Sequence, residues 1–187
     1  ETYLVTRRCT QRPFLLLPSE IVEQVIMYCL AVAAALSWVE GHGFAVLSNH
    51  YHLLVSDPEA RLPVFLHWLN LHVSKLLNVN YGRGETLWSS APPSVVRLED
   101  AADVLDKLVY TITNPVSSLL VRRASRWPGL LSLPQDLLVR TYEAERPDFF
   151  FREEGPTPAK AALTLTKPPA LRQLSDEDYR ALVSEKV

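Results

Sequence analysis

The feature that most constrains this chain is the two-residue interval between two apolar runs. Gly43-Phe44-Ala45-Val46-Leu47 leads into Ser48-Asn49, and the chain resumes as His50-Tyr51-His52-Leu53-Leu54-Val55. A short polar connection between β-prone runs predicts an antiparallel hairpin. Alternate side chains of a strand share a face, so His50 and His52 stand side by side while Tyr51, Leu53 and Val55 point the other way. The second set is what the helix-covered underside of a sheet requires. Two imidazoles on one face can supply half of a divalent metal site, and the same pair can equally be surface or hydrogen-bonded core histidines.

A second stretch bears on that choice. Val104, Leu105, Leu108, Val109 and Ile112 recur at helical spacing behind Asp100, a good N-cap. Asn114 precedes Pro115, and a residue before proline is biased away from the helical region, so the helix is expected to stop there. Tyr110 and Asn114 are four apart and share a helix face. A phenol and an amide oxygen are thereby presented together, a nucleophile with a third ligand one turn away.

The remaining elements follow from periodicity and caps. Residues 3–9 read as a first strand. Ser19 caps a helix over about Glu20–Trp38, apolar enough to raise a membrane question. Its Glu23 and Gln24, alanine-rich middle and lack of flanking basic residues argue for a helix lying on a sheet. A long amphipathic helix is expected from Arg61 to about Asn80 and a short strand at Ser94–Leu98. A further helix is expected from Pro115 to about Ser125, then another at Pro134–Tyr142. Residues 155–170, rich in Pro, Ala and Thr, read as an extended linker before a short helix at Ser175–Glu185. His42 reads as structural or exposed, and Trp88 either as a core plug or as a platform for an unpaired base.

With 187 residues, 48% of them hydrophobic and 21% charged, the chain can bury a sizeable core. Cys9 and Cys29 lack the spacing of a disulfide framework or zinc site and fit free thiols in a reducing cytosol. The net charge of −2 is unusual for a nucleic-acid binder. It is unevenly placed: residues 1–140 carry 12 basic and 12 acidic side chains, and 141–187 carry 7 basic against 9 acidic. Local clusters matter more than the total. Arg7, Arg8 and Arg12 form one, and Arg122, Arg123 and Arg126 a second.

Taken together these stretches resemble a known family. Ser48-Asn49-His50-Tyr51-His52-Leu53-Leu54-Val55 resembles the HUH motif (His, hydrophobic, His) of single-tyrosine transposases. Tyr110-Thr111-Ile112-Thr113-Asn114-Pro115-Val116 is similar to their tyrosine motif. Asn80-Tyr81-Gly82-Arg83-Gly84-Glu85-Thr86-Leu87-Trp88 is similar to their Gly-rich turn before an aromatic, and Tyr3-Leu4-Val5-Thr6-Arg7-Arg8 to their opening strand. Order and spacing agree over roughly residues 3–125. The nearest branch is the REP-associated tyrosine transposases, which act on hairpins in single-stranded DNA. Two departures stand out: the neutral Ser89-Ser90-Ala91-Pro92-Pro93, where the family is usually more basic, and the overall acidity.

The element order strand, helix, strand, strand, helix, strand, helix gives a ferredoxin-like α+β sandwich, an antiparallel sheet with helices mainly on one face, and the resemblance makes it the sandwich of an HUH nuclease. Residues 1–130 would form the HUH catalytic domain and 131–187 a C-terminal extension. The resemblance implies a metal-dependent single-stranded DNA endonuclease and strand transferase, acting at hairpin-associated sites as in DNA transposition, in a bacterial cytoplasm, as monomer or homodimer and with no membrane. Tyr110 would be the nucleophile and form a 5′-phosphotyrosine. His50, His52 and Asn114 would hold Mg2+ or Mn2+, although imidazoles and an amide suit those ions less well than carboxylates do. Arg7, Arg8, Arg12, Lys75, Arg122, Arg123 and Arg126 would contact DNA. Two other readings compete: a domesticated module that binds hairpin DNA without cutting it, and an unrelated metal hydrolase joining the His pair to Asp57 or Glu59.

Overall fold

The computed structural model describes residues 1–11, 13–152 and 154–187. Four strands, β1 (Thr2–Arg8), β2 (Glu40–Leu47), β3 (His50–Ser56) and β4 (Ser94–Leu98), form one antiparallel sheet in the order β2-β3-β1-β4. Helices α1 (Glu20–Ser37) and α2 (Leu62–Tyr81) cover one face and α3 (Ala101–Ser117) the other. This is the expected ferredoxin-like α+β arrangement, in which each crossover helix returns the chain past one intervening strand. The hairpin forms across Ser48-Asn49, with Leu47 opposite His50 and Ala45 opposite His52.

Caps fix where the helices begin. The Ser19 hydroxyl accepts from the Val22 amide at the start of α1, and the Asp100 carboxylate from the Asp103 amide at 2.9 Å at the start of α3. Asp57 holds the first turn of α2: its two oxygens accept from the Arg61 and Leu62 amides at 2.9 and 2.8 Å. By length and composition α1 could cross a membrane, but 67% of it is buried inside the protein, so its apolar surface is spent on the core. That core is continuous from Leu4 in β1 to Val183 near the C-terminus.

Three expectations are corrected. Pro115 does not end α3, which runs on to Ser117. A proline within a helix removes the bond from its own nitrogen and crowds the carbonyl four residues back; Asn114, Pro115 and Ile112 are all buried here, so packing holds the last turn. No helix follows to Ser125, and only a single 3-10 turn, Ala124–Arg126, forms. The helix expected at Pro134–Tyr142 is a 3-10 turn at Pro134–Asp136 and then strand β5 (Thr141–Glu145), which pairs with β6 (Lys160–Thr164) inside the stretch read as linker. β5 alternates buried and exposed residues, Tyr142 and Ala144 facing inward, and that period of two is short enough to be missed beside a proline.

The segment from Leu130 onward is built into the molecule. Val46 donates to the Leu130 carbonyl and Ser132 to that of Phe44, which adds an irregular fifth strand beside β2. The β5–β6 hairpin lies along α1, with Tyr142 edge-on to Phe44 at 5.0 Å. Phe151 docks between Tyr28 and His72. The terminal helix α4 (Asp176–Lys186), capped by Ser175, buries Tyr179 and Val183 completely.

Candidate functional site

Sheet register brings the candidate residues together. The rings of His50 and His52 lie edge to face with centroids 4.9 Å apart. The Tyr110 ring meets His52 in the same way at 5.3 Å. Gly43 helps α3 lie close over β2: a Cβ on it would fall 2.6 Å from Leu108 Cδ1, two residues before Tyr110. With Leu108 over Gly43 and Tyr110 over His52, α3 runs toward the His50 end of the sheet, and Asn114 lies one turn further along it. Asn114 is buried, and its side-chain oxygen accepts only a long contact, 3.4 Å, from the Ser118 hydroxyl.

The hydrogen bond to Asn49 sets the His50 tautomer. His50 Nδ1 lies 2.7 Å from Asn49 Oδ1, an acceptor, so Nδ1 carries the proton and Nε2 keeps its lone pair. His52 Nδ1 lies 2.8 Å from the Thr6 hydroxyl, and its buried Nε2 has no hydrogen-bond partner among the described residues. Such an orphaned atom is costly unless something outside the chain occupies it. Burial first, then the neighbouring His50 and Arg8, depress the His52 pKa to about 4. Burial and Arg8 lower that of His50 as well. Both rings are therefore neutral at pH 7, the state a metal ligand needs.

These features fit a divalent cation held by two Nε2 atoms, each ring fixed from behind by a hydrogen bond at Nδ1. Among the described residues no three His, Cys, Asp or Glu side chains cluster, so further ligands have to be an amide oxygen, water or substrate. Asp57 caps α2 with both oxygens at the opposite end of β3, which removes it from the competing hydrolase.

Beside Tyr110 and His52 opens a cavity of about 520 Å³, lined also by Thr6, Arg8, Ser94 and Lys107. Lys107 went unrecognised in the sequence; it lies one helical turn before Tyr110, and that spacing is the signal that could have found it. Arg8 is exposed on the histidine face, opposite His50 in the register. Arg7 alternates to the other face, where it donates to the carbonyls of Ser89 and Ala91 and stacks over Trp88, so it braces the neutral loop at the cavity rim. Trp88 is the core plug, 7% exposed, with its indole N–H on the Asn70 carbonyl.

The other candidates are not gathered at the histidines. Lys75 is exposed on α2, whose Asn70 bonds to Tyr51 on the underside of the sheet. Arg122, Arg123 and Arg126 are exposed just beyond the end of α3. Arg12 falls outside the described residues. His42 is fully buried, with Nδ1 on the Thr166 carbonyl and Nε2 on the Ser56 hydroxyl.

The fold is similar to that of a REP-associated tyrosine transposase solved bound to a REP hairpin. The TM-score is 0.59 and the identity 19%, over 72% of this chain and 78% of that one. A Deinococcus radiodurans protein assigned to the transposases is similar with a TM-score of 0.44 and 18% identity, over 57% of this chain and 85% of that one. No protein-family model matches the chain, and no curated protein does. The first of these likenesses establishes the fold.

Proposed function

We propose that the chain is a metal-dependent nuclease and strand transferase acting on single-stranded DNA beside a hairpin, with Tyr110 as its nucleophile. The observation that carries this reading is the tyrosine ring packed on one of two neutral, rear-anchored histidines beside a cavity with Arg8 and Lys107. The shared fold with a hairpin-bound transposase supports the choice of substrate.

In this reading His50 and His52 would hold a divalent ion, Mg2+ or Mn2+, with Asn114 as the third protein ligand. When bound, the ion would supply Lewis-acid charge that offsets the negative charge of the reacting phosphate. Arg8 and Lys107 orient the phosphate from two sides of the cavity and offset its repulsion of an incoming nucleophile. Tyr110 Oη attacks phosphorus, its proton passing to solvent, to which the residue is 40% open. The bond to the 3′ oxygen breaks, leaving a 5′-phosphotyrosine and a free 3′ hydroxyl. The phosphotyrosine retains the phosphodiester's energy, so a 3′ hydroxyl can attack it in reverse and join strands at the same site.

A hairpin-binding module without cleavage has no use for a phenol on a metal-competent imidazole. The test is a denaturing gel of protein mixed with labelled hairpin oligonucleotides and Mn2+. The parent protein is expected to form an adduct stable to denaturant, and Tyr110→Phe and His50→Ala none. Equal hairpin binding by all three without any adduct would replace the nuclease by the binding module.

A further inference from the structure

The C-terminus of α3 is closed by a Schellman motif. Leu120 N–H donates to the Pro115 carbonyl at 3.0 Å and Leu119 N–H to that of Val116 at 2.9 Å. The residue at the left-handed position of this motif is ordinarily glycine; here it is Leu119, with φ +58°. A leucine is strained there, and this one gains nothing from burial, being 92% exposed, with Leu120 beside it 50% exposed. The tip thus costs the fold twice over and contributes nothing to the core.

What surrounds the tip is charge. Arg122, Arg123 and Arg126 follow it, all exposed, and among the described residues none forms an ion pair. Since α3 runs toward the His50 end of the sheet, the tip emerges at the end that also carries Arg8. At 1.5 Å per residue Ser118 lies roughly 12 Å along the helix from Tyr110, which spans about three to four stacked nucleotides at 3.4 Å each.

We infer that Leu119 and Leu120 form an apolar wedge that inserts at the terminal base pair of a DNA hairpin and unstacks it, while Arg122, Arg123 and Arg126 hold the flanking phosphates. The inference rests on the reading of the protein as a hairpin-directed nuclease. Apolar side chains inserted beside arginines are a known means of unstacking bases, and insertion needs a projecting side chain with no competing contacts of its own. The device sets the distance between the hairpin base and the phosphate presented to Tyr110.

Leu119→Gly is the decisive variant, because glycine suits the backbone and folding is not at risk. Full-length protein carrying Tyr110→Phe, to prevent turnover, is titrated with a hairpin bearing 2-aminopurine in its terminal base pair, and with the same composition scrambled so that it cannot pair. With Leu119 or Leu119→Met, binding is expected to raise 2-aminopurine fluorescence. Leu119→Gly is expected to lose that rise and on the order of tenfold in preference for the hairpin, with affinity for the unpaired strand and thermal stability retained. Leu119→Gly keeping both the rise and the preference overturns the wedge. A parent protein that forms the phosphotyrosine adduct yet shows no fluorescence rise overturns the wedge alone and leaves the nuclease standing. No binding to either DNA, or binding to anionic vesicles instead, overturns both.

Discussion

At the scale of single residues, the chemistry depends on atoms behind the candidate ligands as much as on the ligands. Thr6 on β1 reaches across the sheet to His52 Nδ1, and Asn49 in the turn reaches back to His50 Nδ1. Each anchors its ring at Nδ1 and leaves Nε2 without a partner from that residue. Removing such an anchor leaves the ligand present but free to rotate and change tautomer, which typically costs 10–100-fold in metal affinity. Thr6→Val, nearly equal in volume, is expected to weaken Mn2+ binding by roughly tenfold or more in calorimetry while the melting temperature changes little. Unaltered metal affinity would show that the hydroxyl has no such role. In the proposed function the three arginines beyond α3 would act differently, through charge alone. Each change to alanine is expected to weaken hairpin and unpaired DNA alike and to lower the slope of log affinity against log salt by about one. A salt slope left unchanged in all three would place the phosphates elsewhere.

At the scale of elements, the decisive contact is α3 on β2. Gly43→Ala would put its methyl 2.6 Å from Leu108 Cδ1, so the wholly buried Leu108 side chain must shift within close packing. That repacking costs about 1–3 kcal/mol and disturbs the seat of Tyr110, two residues further along α3. The expected result is a modest fall in denaturation midpoint with a disproportionate loss of DNA adduct, whereas Leu69→Ala, under the other face, should lower stability with the adduct rate spared. Equal losses in the two variants would mean that Gly43 matters only to stability. What the sequence made legible at this scale were the elements with a strong period and a polar cap: Ser19, Asp100 and Ser175 mark their helices correctly. The hairpin was legible because its connection has two residues and its strands alternate. Less legible were the junctions where packing overrides local preference. Asn114-Pro115 favours a stop, and the buried last turn of α3 overrides it. β5 and β6 are five residues each, too short to display a period, and they exist because α1 and Phe44 offer them an apolar surface. Lys107, Thr6 and Asn49 escaped because a supporting role is visible only once the ring that it supports has been placed.

At the scale of the whole molecule, His42 ties the last third of the chain to the sheet. Its Nδ1 donates to the Thr166 carbonyl at 2.9 Å, so its Nε2 must accept, and it does so from the Ser56 hydroxyl at 2.7 Å, which Thr2 joins at 2.8 Å. β1, β2, β3 and the segment after β6 thus meet on one neutral imidazole. Burial, only partly offset by the Thr166 carbonyl and reinforced by Arg172, depresses its pKa to about 4. The sign follows from linkage: the folded ring resists a proton that the unfolded chain takes up near pH 6.5, so stability is full above that value and falls as pH drops toward 4. The slope approaches about 1.4 kcal/mol per pH unit for each such histidine. His52 adds a second contribution of the same sign, pKa about 4, whenever no metal occupies it. Urea unfolding of the metal-free protein at intervals from pH 7 to pH 4.5 should therefore show an uptake of close to two protons from these residues. In His42→Gln, which can donate and accept but not titrate here, the uptake should fall by about one. An identical pH slope in the parent and His42→Gln would mean that the ring is already charged or exposed in the native protein, and that the joint between sheet and tail is looser than its hydrogen bonds require.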